Sequence, residues 1–315
     1  MAKIAFLFAG QGAQYPGMGK ELCEVSSAAA AVFAAADSVR QGTSAQCFTG
    51  EQEELNRTIH TQPCVYCVDL AAARALEQAG VHPDAVAGFS LGEVAALTFA
   101  GAFSEEDGFA FVCRRAQAMD SAAQHCPSGM AAVLKLDNET VEKICQEFVQ
   151  VYPVNYNCPG QLVAACSKPE LESFCNRVKE KKGRAVPLAV SGGFHSPFMD
   201  SAEQQLSEEI VRYNLHAPKL PVYANRTGEP YPQQEAACRD MLVSQITHPV
   251  QWEKTIRNMA AEEFDTFIEV GPGKTLSGLV KKILKDAHIY RVEDRATLEE
   301  TLAQLGQGGI QDGTK

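Results

Sequence analysis

A serine between two glycines is the residue of this sequence best placed to do chemistry. The segment GFSLG at residues 88–92 follows the apolar run at 85–87 and precedes a helical stretch. Gly-x-Ser-x-Gly between a strand and a helix is typical of a nucleophile elbow, in which small neighbours permit a strained turn that presents the serine hydroxyl. The following backbone N–H and the helix dipole both stabilise a developing oxyanion. The pattern predicts that Ser90 attacks a carbonyl carbon, although ordinary turns also contain it.

A nucleophilic serine needs a base, and neutral histidine is the usual one. His195 lies in the segment SGGFHSPF at 191–198, where small residues join a predicted strand to a predicted helix and would deliver the imidazole to a sheet edge. A surface-loop histidine is the competing interpretation. No acidic residue near His195 stands out as the group that orients it. Asp200 could serve, and this role stays open on the residues alone.

Short apolar strands alternate with helical stretches, as an α/β fold requires. The predicted strands are 4–8, 85–89, 131–136, 153–156, 162–165, 185–189, 222–225 and 266–270. The stretch 127–196 has the order strand, helix, strand, strand, helix, strand, which is that of a ferredoxin-like unit. We therefore predict a parallel-sheet domain from residues 1–126 plus 197–315, which carries the nucleophile, and a ferredoxin-like subdomain at 127–196.

Composition favours a soluble globular enzyme. The 315 residues are 45% hydrophobic and 21% charged, and the formal net charge of -11 argues against non-specific binding to nucleic acid. No apolar stretch approaches the roughly 20 residues that span a bilayer, and the first apolar stretch is too short for a signal sequence. We expect a cytoplasmic protein with no membrane or nucleic-acid partner.

The cysteines fit the same compartment. Their number, eleven, is odd and they are scattered, which favours reduced thiols over a disulfide framework. Cys64 and Cys67 have the CxxC spacing of redox and half-zinc motifs. They lie in an apolar helical stretch with no second CxxC, so we interpret them as core residues.

Eight ordered segments, which include the elbow and the His195 loop, resemble those of the malonyl-CoA:acyl carrier protein transacylases and are similar to acyltransferase domains of polyketide synthases. The segments are FAGQGAQ (8–14), GFSLGE (88–93), RAQAM (115–119), GMAAV (129–133), NYNCPGQ (155–161), GFHSPFM (193–199), PVQW (249–252) and EVGPGKTL (269–276). The resemblance covers almost the whole chain. It implies a hydrolase-like α/β domain with a central, mostly parallel sheet and an inserted, small ferredoxin-like α+β subdomain.

The resemblance also implies catalytic roles. Ser90 would attack the malonyl thioester, and His195 would take its proton and return it to the departing thiol. The backbone N–H groups of Gln11 and Leu91 would hold the oxyanion. A backbone carbonyl, at the matching position Gln251, would orient His195 in place of a carboxylate.

Arg115 is the specificity residue that the resemblance implies. Malonyl ends in a free carboxylate, which a guanidinium can bind through two parallel charge-assisted hydrogen bonds. The neighbouring Arg114 is the competing candidate, since adjacent helical residues point about 100° apart and only one would face the site. Met119, Asn157 and Phe194 are further substrate-binding residues by resemblance, and Phe194 favours malonyl.

The predicted function is ping-pong transfer of malonyl from malonyl-CoA to the phosphopantetheine thiol of acyl carrier protein, for fatty acid synthesis, by a monomer. We expect no metal or other cofactor, because the CoA and phosphopantetheine thioesters are themselves the substrates. A discrete acyltransferase of a polyketide synthase fits the resemblance as well. A serine thioesterase or hydrolase would share the elbow but would have no use for Arg115, and a non-catalytic carrier-docking protein would tolerate the loss of Ser90. Phe89 departs from the family, which usually has histidine there.

Overall fold

The computed structural model describes residues 3–306 of the chain, which form two sheets and the helices that cover them. The strands are β1 Lys3–Phe8, β2 Ala85–Gly88, β3 Ser128–Leu134, β4 Val151–Cys158, β5 Gln161–Ser167, β6 Arg184–Pro187, β7 Val222–Tyr223, β8 Phe264–Val270 and β9 His288–Val292. The α-helices are α1 Lys20–Val25, α2 Ser27–Val39, α3 Thr43–Thr49, α4 Gln52–Leu55, α5 Thr58–Gln78, α6 Gly92–Phe99, α7 Glu105–His125, α8 Asn138–Cys145, α9 Lys168–Glu180, α10 Asp200–Glu209, α11 Glu235–Ser244, α12 Trp252–Ala261, α13 Thr275–Ile283 and α14 Arg295–Gln304.

The larger sheet is parallel and has the strand order β7-β2-β1-β8-β9. All four residues of β2 are buried, as expected for a strand covered by helices on both faces. Phe8 pairs with Gly88 at the ends of β1 and β2. The loops that follow these two strands, one carrying Gln11 and the other Ser90, therefore leave the same edge of the sheet.

The smaller sheet is antiparallel, with the order β4-β5-β3-β6. Numbered within this unit, the order is 4-1-3-2 when read from β6, which is the ferredoxin-like arrangement. The fold class that we predicted is confirmed, and the sheet lies inside the stretch 127–196. A parallel bridge between Asn155 and Val250 joins β4 to the segment before α12. The exact domain limits stay a prediction.

The interior of α5 settles the CxxC alternative in favour of the core. Cys64 and Cys67 are both 0% exposed, and the eleven cysteines, all within the described residues, are free thiols. Among residues 3–306, no helix is long and apolar enough to cross a membrane.

Each predicted strand overlaps an observed one, but β9 was not predicted from the sequence. This strand, HIYRV, contains polar residues and is mostly half-buried. It is the outer strand beside β8, so one of its edges has no strand partner in the described sheet. An edge strand of this kind lacks the apolar run that identified the central strands.

Candidate active site

The nucleophile elbow lies at the carboxyl end of β2, where the chain turns into α6. Ser90 occupies the left-handed region, with a φ of 54°, a conformation that costs about 1–3 kcal/mol and persists where the surroundings fix it. A Cβ atom added at Gly88 would lie 2.0 Å from the backbone carbonyl of Gly92, and one added at Gly92 would lie 2.4 Å from the Phe8 carbonyl oxygen. Both glycines are therefore needed for the close packing of this turn.

The Ser90 hydroxyl contacts a histidine. Ser90 Oγ lies 2.7 Å from His195 Nε2, and His195 Nδ1 lies 3.0 Å from the backbone carbonyl oxygen of Gln245. An Nδ1–H that donates to this carbonyl leaves Nε2 free to accept the serine proton. Burial, together with the positive charge of Arg115, lowers the pKa of His195 to about 4. The imidazole is therefore neutral at pH 7, the form that a general base requires.

The residue that orients His195 is Gln245, which corrects the expectation for Gln251. The Gln251 carbonyl accepts from the Thr255 N–H at 2.9 Å, a bond that begins α12. The Gln251 N–H donates to the Asn225 carbonyl at 2.7 Å. The first turn of α12 uses the Gln251 carbonyl. The carbonyl that lies beside His195 is therefore that of Gln245, at the end of α11.

Arg115 lies beside the nucleophile and is fully buried. Its Nη1 donates to Gln62 Oε1 at 2.6 Å, and its Nη2 donates to Gln245 Oε1 at 2.8 Å and to Ser90 Oγ at 3.2 Å. The Nε of Arg115 is buried with no hydrogen-bond partner. Burial lowers its pKa to about 10, so the guanidinium remains charged at pH 7.

No carboxylate of the described residues forms an ion pair with Arg115, although such partners are the rule for a buried cation. Arg114 behaves differently: its side chain is 55% exposed and its Nε lies 3.5 Å from Glu209 Oε1. The competing assignment of Arg114 to the site is therefore not supported by its position. Arg115 is the arginine that can meet an anionic ligand next to Ser90.

Two backbone donors belong to residues that line the same cavity. The N–H groups of Gln11 and Leu91 have no acceptor among the described residues, and both residues line the cavity that contains Ser90. Leu91 is also the N-cap of α6, so the positive end of the helix dipole lies here. The arrangement can bind an oxyanion formed at a carbonyl attached to Ser90.

The cavity has a volume of about 100 Å³. Apolar and amide side chains make up most of its wall, and the lining residues are Gln11, Gln62, Phe89, Ser90, Leu91, Arg115, Met119, Met130, Asn155, Leu188, Val190, Phe194 and His195. The structure thus brings Met119 and Phe194 together with the catalytic candidates. Asn157 does not line the cavity, whereas Asn155 does. β4 has register shifts on both sides of Tyr156, and such irregularities change which residues of a strand face the site.

Sequence reasoning missed four polar residues around the elbow, namely Gln62, Gln245, Asn225 and Glu93. Gln62 and Gln245 hold Arg115, as described above. Asn225 Oδ1 accepts from the Ser90 N–H at 2.7 Å, and Glu93 Oε2 accepts from the Asn225 N–H at 2.6 Å. Glu93 stands in the segment GFSLGE and could have been noticed there. The other three carry no local signal, because their partners come from distant parts of the chain.

Comparison with known proteins gives full-length matches. Residues 5–302 match the family model described as acyl transferase domain. The malonyl CoA-acyl carrier protein transacylase of Bacillus subtilis is 38% identical over 311 residues, which cover 97% of this chain and 98% of the relative.

Solved structures agree with this match. The malonyl CoA-acyl carrier protein transacylase of Clostridium perfringens superposes with a TM-score of 0.93 at 38% identity, covering 97% of this chain and 98% of that one. A malonyl-transacylase solved in complex with a type II PKS acyl-carrier protein has a TM-score of 0.92 at 33% identity, covering 96% of this chain and 100% of that one.

Proposed function

We infer the activity of this chain from its family: it belongs to the malonyl CoA-acyl carrier protein transacylases, and it transfers malonyl from malonyl-CoA to acyl carrier protein. The residues that perform the transfer are our proposal. It assigns the nucleophile to Ser90, the base to His195, the oxyanion donors to the N–H groups of Gln11 and Leu91, and the carboxylate anchor to Arg115.

In the first half-reaction, Ser90 Oγ attacks the thioester carbonyl carbon while its proton passes to His195 Nε2, 2.7 Å away. The carbonyl oxygen becomes an oxyanion that accepts from the two backbone N–H groups. The C–S bond then breaks, and the CoA sulfur leaves with the proton from His195. A malonyl ester on Ser90 remains.

The second half-reaction runs the same steps in reverse with another thiol. His195 takes the phosphopantetheine proton, the sulfur attacks the malonyl-serine carbonyl, and Ser90 Oγ leaves with the proton from His195. Water must not compete with the thiol during this exchange. The small volume of the cavity, about 100 Å³, and its mostly apolar wall support this requirement.

The observation that carries the proposal is that the Arg115 guanidinium, although it donates to Gln62, Ser90 and Gln245, forms no ion pair with a carboxylate of the described residues. A fully buried cation without a carboxylate partner is costly to a protein unless a ligand neutralises it. Its Nη2 lies 3.2 Å from the nucleophile, and the malonyl carboxylate is separated from the reacting carbonyl by one CH₂ group. A serine thioesterase or hydrolase would share Ser90 and His195, but it would have no use for this charge.

Intact-mass spectrometry tests the proposal directly. The protein mixed with malonyl-CoA should gain the mass of one malonyl group, and Ser90→Ala should gain none. The adduct should disappear when holo acyl carrier protein is added, with malonyl appearing on the carrier. An adduct that is lost at the same rate with and without the carrier, by hydrolysis, would favour a thioesterase. The absence of any adduct on the native chain would refute the proposed mechanism.

The carrier that we propose is the acyl carrier protein of fatty acid synthesis. The malonyl-transacylase solved with a type II PKS acyl-carrier protein supports a polyketide carrier as the second candidate. Transfer rates to the two carriers, measured at equal concentrations, distinguish them. We further propose that the chain acts as a monomer in the cytoplasm, and light scattering coupled to gel filtration checks its mass in solution.

A further inference from the structure

One asparagine bridges two peptide groups of the nucleophile elbow. Asn225 Oδ1 accepts from the Ser90 N–H at 2.7 Å, and Asn225 Nδ2 donates to the Gly88 carbonyl oxygen at 2.6 Å. Asn225 is 1% exposed, so water does not compete for these bonds. β7 pairs with β2 and ends at Tyr223. A carboxamide has one acceptor and one donor side, like a peptide group, and this one continues the strand pairing to the nucleophile.

Asn225 is held in turn by the helix that begins at the elbow. Its N–H donates to Glu93 Oε2 at 2.6 Å, and its carbonyl accepts from the Gln251 N–H at 2.7 Å. The other oxygen of Glu93 accepts from the Tyr231 hydroxyl. The bonds thus form a closed path from Ser90 through Asn225 and Glu93 back to the first turn of α6.

The hydrogen bonds of the elbow leave one of its N–H groups available, and Asn225 accepts one of these bonds. The Phe89 N–H donates to the Phe8 carbonyl at 3.0 Å, the Ser90 N–H donates to Asn225, and the Gly92 N–H donates to the Phe89 carbonyl at 3.0 Å. Among the described residues, the Leu91 N–H has no acceptor. Fixing the peptide group on one side of a strained residue limits the rotation of the peptide group on the other side.

We propose, on the basis of the function given above, that Asn225 is a positioning residue for Ser90. Its carboxamide fixes the two peptide groups that flank Phe89, and Glu93 and Tyr231 fix Asn225, so that the Ser90 hydroxyl and the Leu91 N–H keep the alignment that acyl transfer requires.

The hydrogen bonds that hold Asn225 do not depend on the charge of Glu93. Burial raises the pKa of Glu93 to about 7, although the hydrogen bonds from Tyr231 and Asn225 and the positive charge of Arg115 each lower this pKa. If Glu93 takes a proton, its hydroxyl can donate to Tyr231, whose oxygen accepts, while the other carboxyl oxygen still accepts from the Asn225 N–H. Glu93→Gln can make the same two contacts, and Glu93→Ala can make neither.

Two assays on the full chain test the proposal. The first is malonyl transfer from malonyl-CoA to holo carrier protein. The second is labelling by a fluorophosphonate, in which Ser90 Oγ forms a bond to phosphorus and fluoride leaves, and for which no carboxylate anchor is needed. Asn225→Ala should lower kcat and the labelling rate together by about 10- to 100-fold, with the KM for malonyl-CoA changed by less than about twofold. Glu93→Gln should recover most of the rate that Glu93→Ala loses.

Asn258→Ala is the matched control. Asn258 Nδ2 donates to the Gly228 carbonyl at 2.8 Å and to Glu229 Oε1 at 2.9 Å, in the turn that follows Asn225, and it makes no contact with the elbow. Both rates should stay within about twofold of the native chain. If Asn225→Ala does not fold, Asn225→Asp replaces it, because it keeps the acceptor for the Ser90 N–H but has no donor for Gly88.

Two results would overturn the proposal: folded Asn225 variants with native kcat and native labelling, or an equal loss of both rates in Asn258→Ala. A native chain that transfers no malonyl would instead refute the proposed function. In that case slower fluorophosphonate labelling of Asn225→Ala would still support the positioning role of Asn225.

Discussion

Removing the Arg115 guanidinium should convert a malonyl-selective chain into one that barely distinguishes malonyl from acetyl. The side chain is fully buried, it points at Ser90, and its Nε has no partner. Acetyl-CoA has the same thioester but no carboxylate. Any difference between the two acyl groups that depends on Arg115 therefore reports the interaction of Arg115 with the carboxylate.

The size of the effect follows from the bonds that are lost. A hydrogen bond to a charged group contributes about 1.5–3 kcal/mol, so a bidentate guanidinium–carboxylate pair contributes about 3–6 kcal/mol. At about 1.4 kcal/mol per factor of ten, Arg115→Ala should lower kcat/KM for malonyl-CoA by about 10²- to 10⁴-fold. Acetyl transfer should change by less than about tenfold. Arg115→Lys keeps the positive charge but not the two parallel N–H donors. Its kcat/KM for malonyl-CoA should therefore lie between those of the native chain and Arg115→Ala.

The assay is transfer of labelled acyl groups to carrier protein, with malonyl-CoA and acetyl-CoA compared in each variant. Arg114→Ala is the control, since Arg114 stands next to Arg115 on α7 but is exposed and lies beside Glu209. Its malonyl:acetyl ratio should equal that of the native chain. The reasoning fails if Arg115→Ala is folded, transfers acetyl, and keeps the native malonyl:acetyl ratio.

Three further predictions concern the elbow and its base. Burial lowers the pKa of His195 from 6.5 to about 4, so the base stays neutral as the pH falls through 6.5. Fluorophosphonate labelling at pH 5.5 should therefore remain near its rate at pH 7. A decrease in the labelling rate with a midpoint near pH 6.5 would contradict this. Gly88→Ala places a methyl group 2.0 Å from backbone atoms of the following turn and should destabilise the fold by more than about 2 kcal/mol in chemical denaturation, whereas Gly278→Ala, with no atom within 4 Å of the added carbon, should not. Phe89 is partly buried and packs edge-on against Trp252 with ring centroids 5.4 Å apart. Phe89→His should keep malonyl transfer within about tenfold, and Phe89→Ala should cost about 1–3 kcal/mol of stability; equal thermal melting of the two variants would count against this contact.

The elements that the sequence predicted well are those whose physics is local. The glycines of the elbow can be recognised in the sequence, because the close backbone approach at Gly88 and Gly92 tolerates no side chain. Serine is a residue type that favours the start of a helix, and Ser104 caps the start of α7 with its Oγ accepting from the Asp107 N–H at 3.0 Å. The apolar runs of β1 and β2 predict a central parallel sheet for the same reason.

The site contacts that the sequence did not predict involve groups that the residue type does not reveal. Any residue supplies a backbone carbonyl, so nothing in the side chains of Gln245 and Gln251 says which carbonyl meets His195. The resemblance placed it at Gln251, and the start of α12 determines that it is Gln245. Asn225 is similar, since it stood at the end of the predicted strand 222–225 with nothing to mark it as functional, and its contact with Ser90 exists only once β7 lies beside β2.

Gln245 explains why the catalytic groups of this site cannot be treated as independent. Its carbonyl lies 3.0 Å from His195 Nδ1, its Oε1 accepts from Arg115 at 2.8 Å, and its Nε2 donates to the Ser90 carbonyl at 2.8 Å. The proposed base, anchor and nucleophile are thus all hydrogen-bonded to one buried residue. A substrate carboxylate that draws Arg115 toward itself must act on the bond to Gln245 Oε1, and through it on the groups that align His195 and Ser90. Binding of the correct acyl group and alignment of the nucleophile are therefore coupled, and losses from Arg115 and Gln245 variants should not add.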